Sequence, residues 1–255
     1  MISSTKNDQV KMVVELRKKA KARNEAGLFV AEGLRMVSEL PPDRAWRLYV
    51  SESFLKNREN AGLLERFSRY EIVTDQVFSA MSDTQTPQGI LALAKQYEYV
   101  LSDLLSAPGP AHLMILENLQ DPGNLGTILR TADAWNVPVA LLEGCADPFG
   151  HKVVRASMGA VFRRQVTVTT WEEAREKCRQ AGIPIAVTAL RDTAQDIRRA
   201  NVADMAVVIG SEGQGVRREV LESADQCLII PMNPHCESLN AAVAATAVMW
   251  QMGKI

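Results

Sequence analysis

Three stretches of this sequence bring together residue types that could hold or transform a small ligand. The first is Glu117–Trp135 (ENLQDPGNLGTILRTADAW). Asp121-Pro122-Gly123 reads as a turn, Asn124 as a cap for the helix that follows, and Arg130 lies six residues on inside that helix. The second is Val207–Val216 (VVIGSEGQGV), where three glycines in six residues follow an apolar run, so that a backbone can approach a ligand closely. Glu212 lies in this loop near a helix start, where the helix dipole favours a carboxylate. The third is Ile229–Trp250 (IIPMNPHCESLNAAVAATAVMW), in which Ser238 and Asn240 bracket the start of a small-residue helix. Taken singly, these are a turn, two caps, a surface arginine and a loop carboxylate. His235 and Cys236 do not make a nucleophile and its base: adjacent side chains rarely converge on one atom, and no third orienting group is evident. GSEGQG is not the GxGxxG dinucleotide fingerprint, and no GxxxxGK[ST] loop is present, so neither a nicotinamide oxidoreductase nor an NTP hydrolase is supported.

The elements around these stretches explain how they could meet. From residue 111 onward, apolar runs alternate with helical patterns. The runs are Leu113–Leu119, Val137–Leu142, Gln165–Val168, Ile183–Ala189, Ala206–Ile209 and Leu228–Pro231. Helical patterns fall near Leu125–Trp135, Lys152–Ala160, Trp171–Gln180, Arg217–Ser223 and Leu239–Met252. This alternation predicts an α/β domain with a mostly parallel sheet and helices on both faces. Ligands bind such sheets beyond the carboxyl ends of the strands, and all three stretches begin there. Ala107-Pro108-Gly109-Pro110 concentrates chain breakers, which places a linker at 98–110. Before it, residues 1–97 read as a small α/β unit. Its helices are expected over Asp8–Ala22, Leu34–Leu40 and Ala61–Ser68, and its strands over Phe29–Ala31, Arg47–Ser51, Glu71–Thr74 and Gly89–Ala94.

Composition narrows the function classes. With 47% apolar and 23% charged residues over 255 positions the chain has the balance of a globular protein rather than a disordered one. The net charge of −1 gives no global field for nucleic acid, although residues 1–24 carry seven Lys or Arg against two acidic residues. Four cysteines without a CxxC pair and three scattered histidines suggest neither a disulfide frame nor a metal site, so no metal is expected. The polar start MISSTKNDQV lacks a signal-peptide core and Ala241–Trp250 is too short for a membrane span, which points to the cytoplasm.

Together, DPGNLGTILRTADA, GSEGQG and IPM…ESLNAAVAA resemble the three motifs of the SpoU (TrmH-type) RNA 2′-O-ribose methyltransferases of the SPOUT superfamily, in order and spacing over residues 111–255. Phe29–Arg35 (FVAEGLR) and Thr86–Ile90 (TPQGI) resemble, over a shorter match, that family's RNA substrate-binding domain. The resemblance implies S-adenosylmethionine as cofactor, structured RNA as substrate, a deep trefoil knot in the C-terminal domain and a homodimer packed through the cofactor region. It places cofactor-binding positions on Gly210, Ile230 and Leu239, and catalytic positions on Asn124, Arg130, Glu212, Ser238 and Asn240. Asn233-Pro234-His235-Cys236 departs from the glycine-containing loop common in the family. The two-domain layout favours ribosomal RNA as substrate. The alternatives are a transfer-RNA methyltransferase, a resistance methylase acting on ribosomal RNA, and a catalytically silent RNA-binding relative.

Overall fold

The computed structural model describes residues 1–106, 112–163, 166–211, 213–233, 235–236 and 238–253. The chain begins α1 (Asp8–Lys18), α2 (Ala20–Ala26), β1 (Leu28–Glu32), α3 (Leu34–Glu39), β2 (Ala45–Ser51) and α4 (Glu52–Lys56). It continues α5 (Ala61–Leu64), β3 (Tyr70–Val73), α6 (Asp75–Met81), β4 (Ile90–Lys95), α7 (Leu101–Leu105), β5 (Leu113–Leu116), α8 (Pro122–Trp135) and β6 (Val139–Leu142). Then come α9 (His151–Ser157), α10 (Ala160–Arg163), β7 (Val166–Thr169), α11 (Trp171–Ala181), β8 (Ile185–Thr188) and the two-residue β9 (Gln195–Asp196). The chain closes with β10 (Ala206–Ile209), α12 (Arg218–Ser223), β11 (Gln226–Ile229) and α13 (Ala241–Met252). Two compact units emerge: residues 1–97 with 149–162, and residues 98–148 with 163–255.

Unit 1 is built on a four-stranded sheet ordered β1-β4-β2-β3, antiparallel except for the β2–β3 pair. The period-2 alternation of strand side chains divides its core in two. Ile90, Ala92 and Ala94 of β4 join Phe29, Val50, Val154 and Phe162 on one face. Leu91 and Leu93 join Val13, Leu16, Tyr49 and Phe78 on the other. Val154 and Phe162 come from 149–162, which lies within the stretch matched to the methyltransferase motifs. Phe162 stacks on Phe29 at 5.9 Å, and the Tyr97 hydroxyl donates to the Val161 carbonyl at 2.6 Å.

The helix expected over Asp8–Ala22 is two helices, because the backbone is extended at Lys19 (φ −119°, ψ 118°). Arg23, buried in α2, donates from Nη1 to the carbonyls of Leu16 (2.6 Å) and Arg17 (3.3 Å). It thereby satisfies carbonyls that the end of α1 leaves without helical partners. Apolar periodicity runs through this break without marking it. Two further helices follow strands directly: α4 is capped by Ser51 Oγ and α6 by Thr74 Oγ1. In the expected linker, α7 buries Leu101 and Leu104. Residues 107–110 lie outside the described residues.

Unit 2 holds a seven-stranded sheet ordered β7-β6-β5-β10-β8-β11-β9, and every pairing in it is parallel. Leu113, Ile115, Ala140, Val187 and Val208 face a core with Trp171, Cys178 and Val220. The alternate residues Met114, Leu116, Val139, Leu141 and Val207 are equally buried, and α13 packs on β10 and on α8. A sheet buried on both faces explains why its strands are continuous apolar runs. From β5 the chain moves outward to β6 and β7, whereas from β10 it moves the other way to β11. The β5–β10 boundary is therefore the point where connections diverge, the place where sheets of this kind bind ligands. Among the described residues no helix is long and apolar enough to cross a membrane.

Candidate active site

All three candidate loops leave carboxyl ends of unit 2 strands: β5, β10 and β11. After β5, Asn118 takes a left-handed conformation (φ 51°) and the chain enters α8. The cap of α8 is Asp121, not Asn124 as its type suggested. Asp121 Oδ1 accepts the Asn124 N–H at 2.7 Å, and Pro122 occupies the first helical position. An Asp followed by Pro is itself a helix-start signal, since proline is tolerated at the first position and has no N–H to satisfy.

Asn124 is thereby released for another partner. Its Oδ1 accepts from Asn240 Nδ2 at 3.0 Å, across 116 residues of sequence. Asn240 is the expected cap of α13, its Oδ1 accepting from the N–H groups of Ala242 (3.0 Å) and Val243 (3.3 Å). One amide thus caps a helix with its oxygen and grips the neighbouring helix with its nitrogen. Arg130 is exposed and, among the described residues, forms no hydrogen bond or ion pair. At about 100° per residue it lies about 120° around the α8 axis from Asn124 and about 9 Å along it. The two therefore do not share a helix face.

The β10 loop folds onto itself. The Gly215 N–H donates to the Ser211 carbonyl at 2.9 Å, and Gly215 takes φ +67°. A Cβ on Gly210 would run into the backbone of Gly215 and Val216. The glycine at 210 is therefore required by the loop's own closure, before any ligand is considered. Glu212 lies outside the described residues.

After β11, Ile230 and Leu239 are half-buried and Ser238 is exposed. These three come together with Thr188, Leu190 and Met232 around a mostly apolar cleft of about 120 Å³. Gly210 does not line it. The turn between them is held by Asn233, whose Oδ1 accepts from the His235 N–H (3.0 Å) and whose carbonyl accepts from the Cys236 N–H (2.8 Å). His235 and Cys236 are both exposed.

The cleft can be tested against the implied cofactor. Pockets that enclose a whole drug-sized ligand span roughly 300–1,000 Å³, so a 120 Å³ cleft seats one end of such a molecule. An apolar slot at strand ends suits the flat adenine of S-adenosylmethionine, whose polar edge can be met by backbone groups. The residues present fit the group. Among the described residues, no group of three or more His, Cys, Asp and Glu side chains could hold a metal ion.

Two residues that shape the site carry no motif signal of their own. Cys145 donates from Sγ to the Leu116 carbonyl (3.2 Å) and accepts from the Leu119 N–H (3.4 Å), which pins the loop leaving β5. Burial pushes its thiol up from the ordinary value, consistent with a packing role rather than a reactive one. Glu117, the first residue after β5, is 1% exposed. Its only sequence signal is an acid that ends an all-apolar run.

Residues 111–250 match the model of the SpoU rRNA Methylase family, and residues 7–92 match that of the MRM3-like substrate binding domain. The 23S rRNA (guanosine(2553)-2′-O)-methyltransferase of Bacillus subtilis is 31% identical over 253 residues, covering 98% of each chain. The AdoMet-bound rRNA methyltransferase of Sinorhizobium meliloti superposes with a TM-score of 0.86 at 28% identity, over 98% of this chain and 96% of that one. A TrmH-family RNA methyltransferase structure from Porphyromonas gingivalis gives a TM-score of 0.77 at 31% identity, over 96% of both chains. Matched motifs, strand-end loops and full-length likeness agree: the chain belongs to the SpoU rRNA methylase family.

Proposed function

We propose that this protein transfers a methyl group from S-adenosylmethionine to a ribose 2′-hydroxyl of large-subunit ribosomal RNA, at the ends of β5, β10 and β11. The observation that carries the site is the Asn124–Asn240 hydrogen bond. It ties the starts of two helices together in the same unit that holds the apolar cleft of Ile230 and Leu239.

The cofactor supplies an electrophilic methyl group on a sulfonium. All else falls to the chain. Ile230 and Leu239 seat the adenine end in the cleft, and the loop at Gly210 closes over the rest. Asn124 and Asn240, each held by the other, orient the ribose so that its hydroxyl lies in line with the methyl group, and alignment of this kind lowers a barrier substantially. Ser238, exposed at the cleft, hydrogen-bonds to the substrate, and Glu212 holds the loop after β10. Arg130, unpaired among the described residues, carries a guanidinium whose planar fork suits bidentate clamping of an RNA phosphate. Because a guanidinium stays protonated, clamping is a better role for it than accepting the hydroxyl proton, which would pass to solvent as the O–CH3 bond forms and the S–CH3 bond breaks to leave S-adenosylhomocysteine.

Residues 1–97 select the RNA, 98–110 link, and 111–255 carry the chemistry and, with the family, a deep trefoil knot. The active form is a cytoplasmic homodimer. Its contact is an apolar groove of about 410 Å³ between α8 and α13, where Trp135 meets the half-exposed Trp250 edge-on at 5.7 Å and Val243 is similarly exposed. Such a patch on a monomer calls for a partner.

The test is to map ribose 2′-O-methyl groups in total RNA from cells with and without the gene. Loss of one mark in large-subunit ribosomal RNA is expected. Loss of a transfer-RNA mark instead would keep the chemistry and overturn the substrate. Persistence of every mark, with redundancy excluded, would favour a silent RNA-binding relative.

A further inference from the structure

A buried carboxylate at the end of an apolar strand is expensive to keep, because it must recover its lost hydration from partners. Glu117 recovers it from one residue. Its Oε2 accepts the backbone N–H of Arg217 at 2.8 Å and its Oε1 accepts Arg217 Nε at 2.5 Å. Glu117 also donates its own N–H to the Ile209 carbonyl at 2.9 Å. Ile209 is the last residue of β10, and Arg217 is the residue before α12. Glu117 therefore touches both ends of the segment 210–216, its entry through the backbone and its exit through the carboxylate.

Between these anchors the segment has little freedom of its own. Gly215 bonds back to Ser211, and Gly210 leaves no space for a side chain. The described residues of the loop form a turn closed between Ser211 and Gly215, and one residue, Glu117, spans the distance from Ile209 to Arg217. Stability does not require this arrangement, since a buried ion pair roughly breaks even against an apolar pair of the same size. The Arg217 side chain remains 56% exposed, so most of the desolvation falls on Glu117 alone. What the carboxylate adds is geometry, at the boundary where the β5 and β10 connections diverge.

We propose that Glu117 is a positioning residue for methyl transfer: acting through Arg217, it sets the shape in which loop 210–216 receives the cofactor. This rests on the assignment of that loop to the cofactor. It also couples two of the three loops, because the chain leaving Glu117 reaches Asn124 seven residues later.

Glu117→Gln keeps the volume and an acceptor for the Arg217 N–H but removes the charge. In the full-length protein it should raise the KM for S-adenosylmethionine about tenfold while kcat at saturating cofactor stays within about threefold. The melting temperature of the cofactor-free protein should change little, because Arg217 can return to water. Arg217→Ala should raise the same KM, and the double variant should be no worse than Glu117→Gln, as expected for residues acting as one device. An unchanged cofactor KM in either folded variant overturns the proposal. If Glu117→Gln fails to melt cooperatively, Arg217→Gln, whose amide can still donate to the buried Glu117 carboxylate, decides alone. Gly210→Ala separates the two levels. If cofactor binding by isothermal titration survives it, the assignment of the loop itself fails. If binding is lost there but kept in Glu117→Gln and Arg217→Ala, only the role of Glu117 fails.

Discussion

Each unit contains a cluster of hydrogen-bonded polar side chains drawn from distant parts of the sequence, and the two clusters differ in exposure. In unit 1 the carboxylate of Glu32 accepts from the Ser82 hydroxyl, from Thr84 Oγ1 at 3.1 Å and from the Asp83 N–H at 3.4 Å. It also meets His151 Nε2 at 3.2 Å, and the Glu32 and His151 side chains are 4% and 5% exposed. In unit 2 Asn124 and Asn240 meet at the surface, beside the exposed Ser238 and on the helix that carries the exposed Arg130. A polar group withdrawn from water and saturated by neighbours holds a fold together. One left at the surface can act on something else. Glu32 is the acid of FVAEGLR, so the motif in that region is explained by packing, whereas the exposed Arg130 of unit 2 is not.

Substitutions at three residues test this contrast. The largest effect is expected at Arg130. Arg130→Lys keeps the charge but loses the planar fork, and misplacing a clamped substrate by about 1 Å costs on the order of 10²-fold in rate. Cofactor affinity and melting should not move, because Arg130 makes no hydrogen bond or ion pair with any described residue. Near-wild-type turnover in a methylation assay would remove Arg130 from the site and weaken the division between holding and acting residues.

An intermediate effect is expected at Glu32, in stability rather than rate. Glu32→Ala takes from the buried His151 imidazole its carboxylate partner, while Ser82 keeps Thr84, and a buried polar group left unpaired costs about 1–3 kcal/mol. Urea unfolding should show the loss, with RNA binding falling before cofactor binding does. Acid should mimic part of it. Burial pushes the Glu32 carboxyl up, but hydrogen bonds from His151 and Ser82 outweigh burial and hold it below its ordinary value of 4.5. A carboxyl lowered on folding contributes stability that is complete above its unfolded pKa and is lost as pH falls through the folded value. The stability gap between wild type and Glu32→Gln should therefore be full at pH 7 and shrink as pH drops below about 4. A gap independent of pH would mean that the charge of Glu32 does not matter.

The smallest effect is expected at Asn240. Loss of its cap in Asn240→Ala should cost about 1 kcal/mol. Methylation should fall by more than that loss of stability accounts for, since the same amide orients Asn124. An activity loss that tracks stability alone would reduce Asn240 to a cap.

Deletion of residues 1–97, which the sequence suggests as a clean removal of the RNA-selecting part, takes on a different meaning in the structure. Residues 149–162 would keep Val154, Val161 and Phe162 but lose the Phe29 and Ala92 against which they pack. Unit 1 is best probed by point substitution.

The sequence alone determined the alternation of apolar runs and helical patterns, and with it a parallel sheet whose strand ends carry the three polar loops. It could do so because strand burial and helix amphipathicity leave local periodic traces. It also marked Asn240 as a cap, because capping is decided within three residues. The α8 cap is an equally local matter, but residue type pointed to Asn124 and only geometry gave it to Asp121. Several features leave no local trace. These are the break at Lys19, the placing of 149–162 in unit 1, the Asn124–Asn240 bond and the grip of Glu117 on Arg217. Each joins groups that the chain separates, by 116 residues in the case of the two asparagines. Only packing decides which of many polar residues finds which partner, because the cost of an unpaired buried group is settled by whatever lies beside it in space.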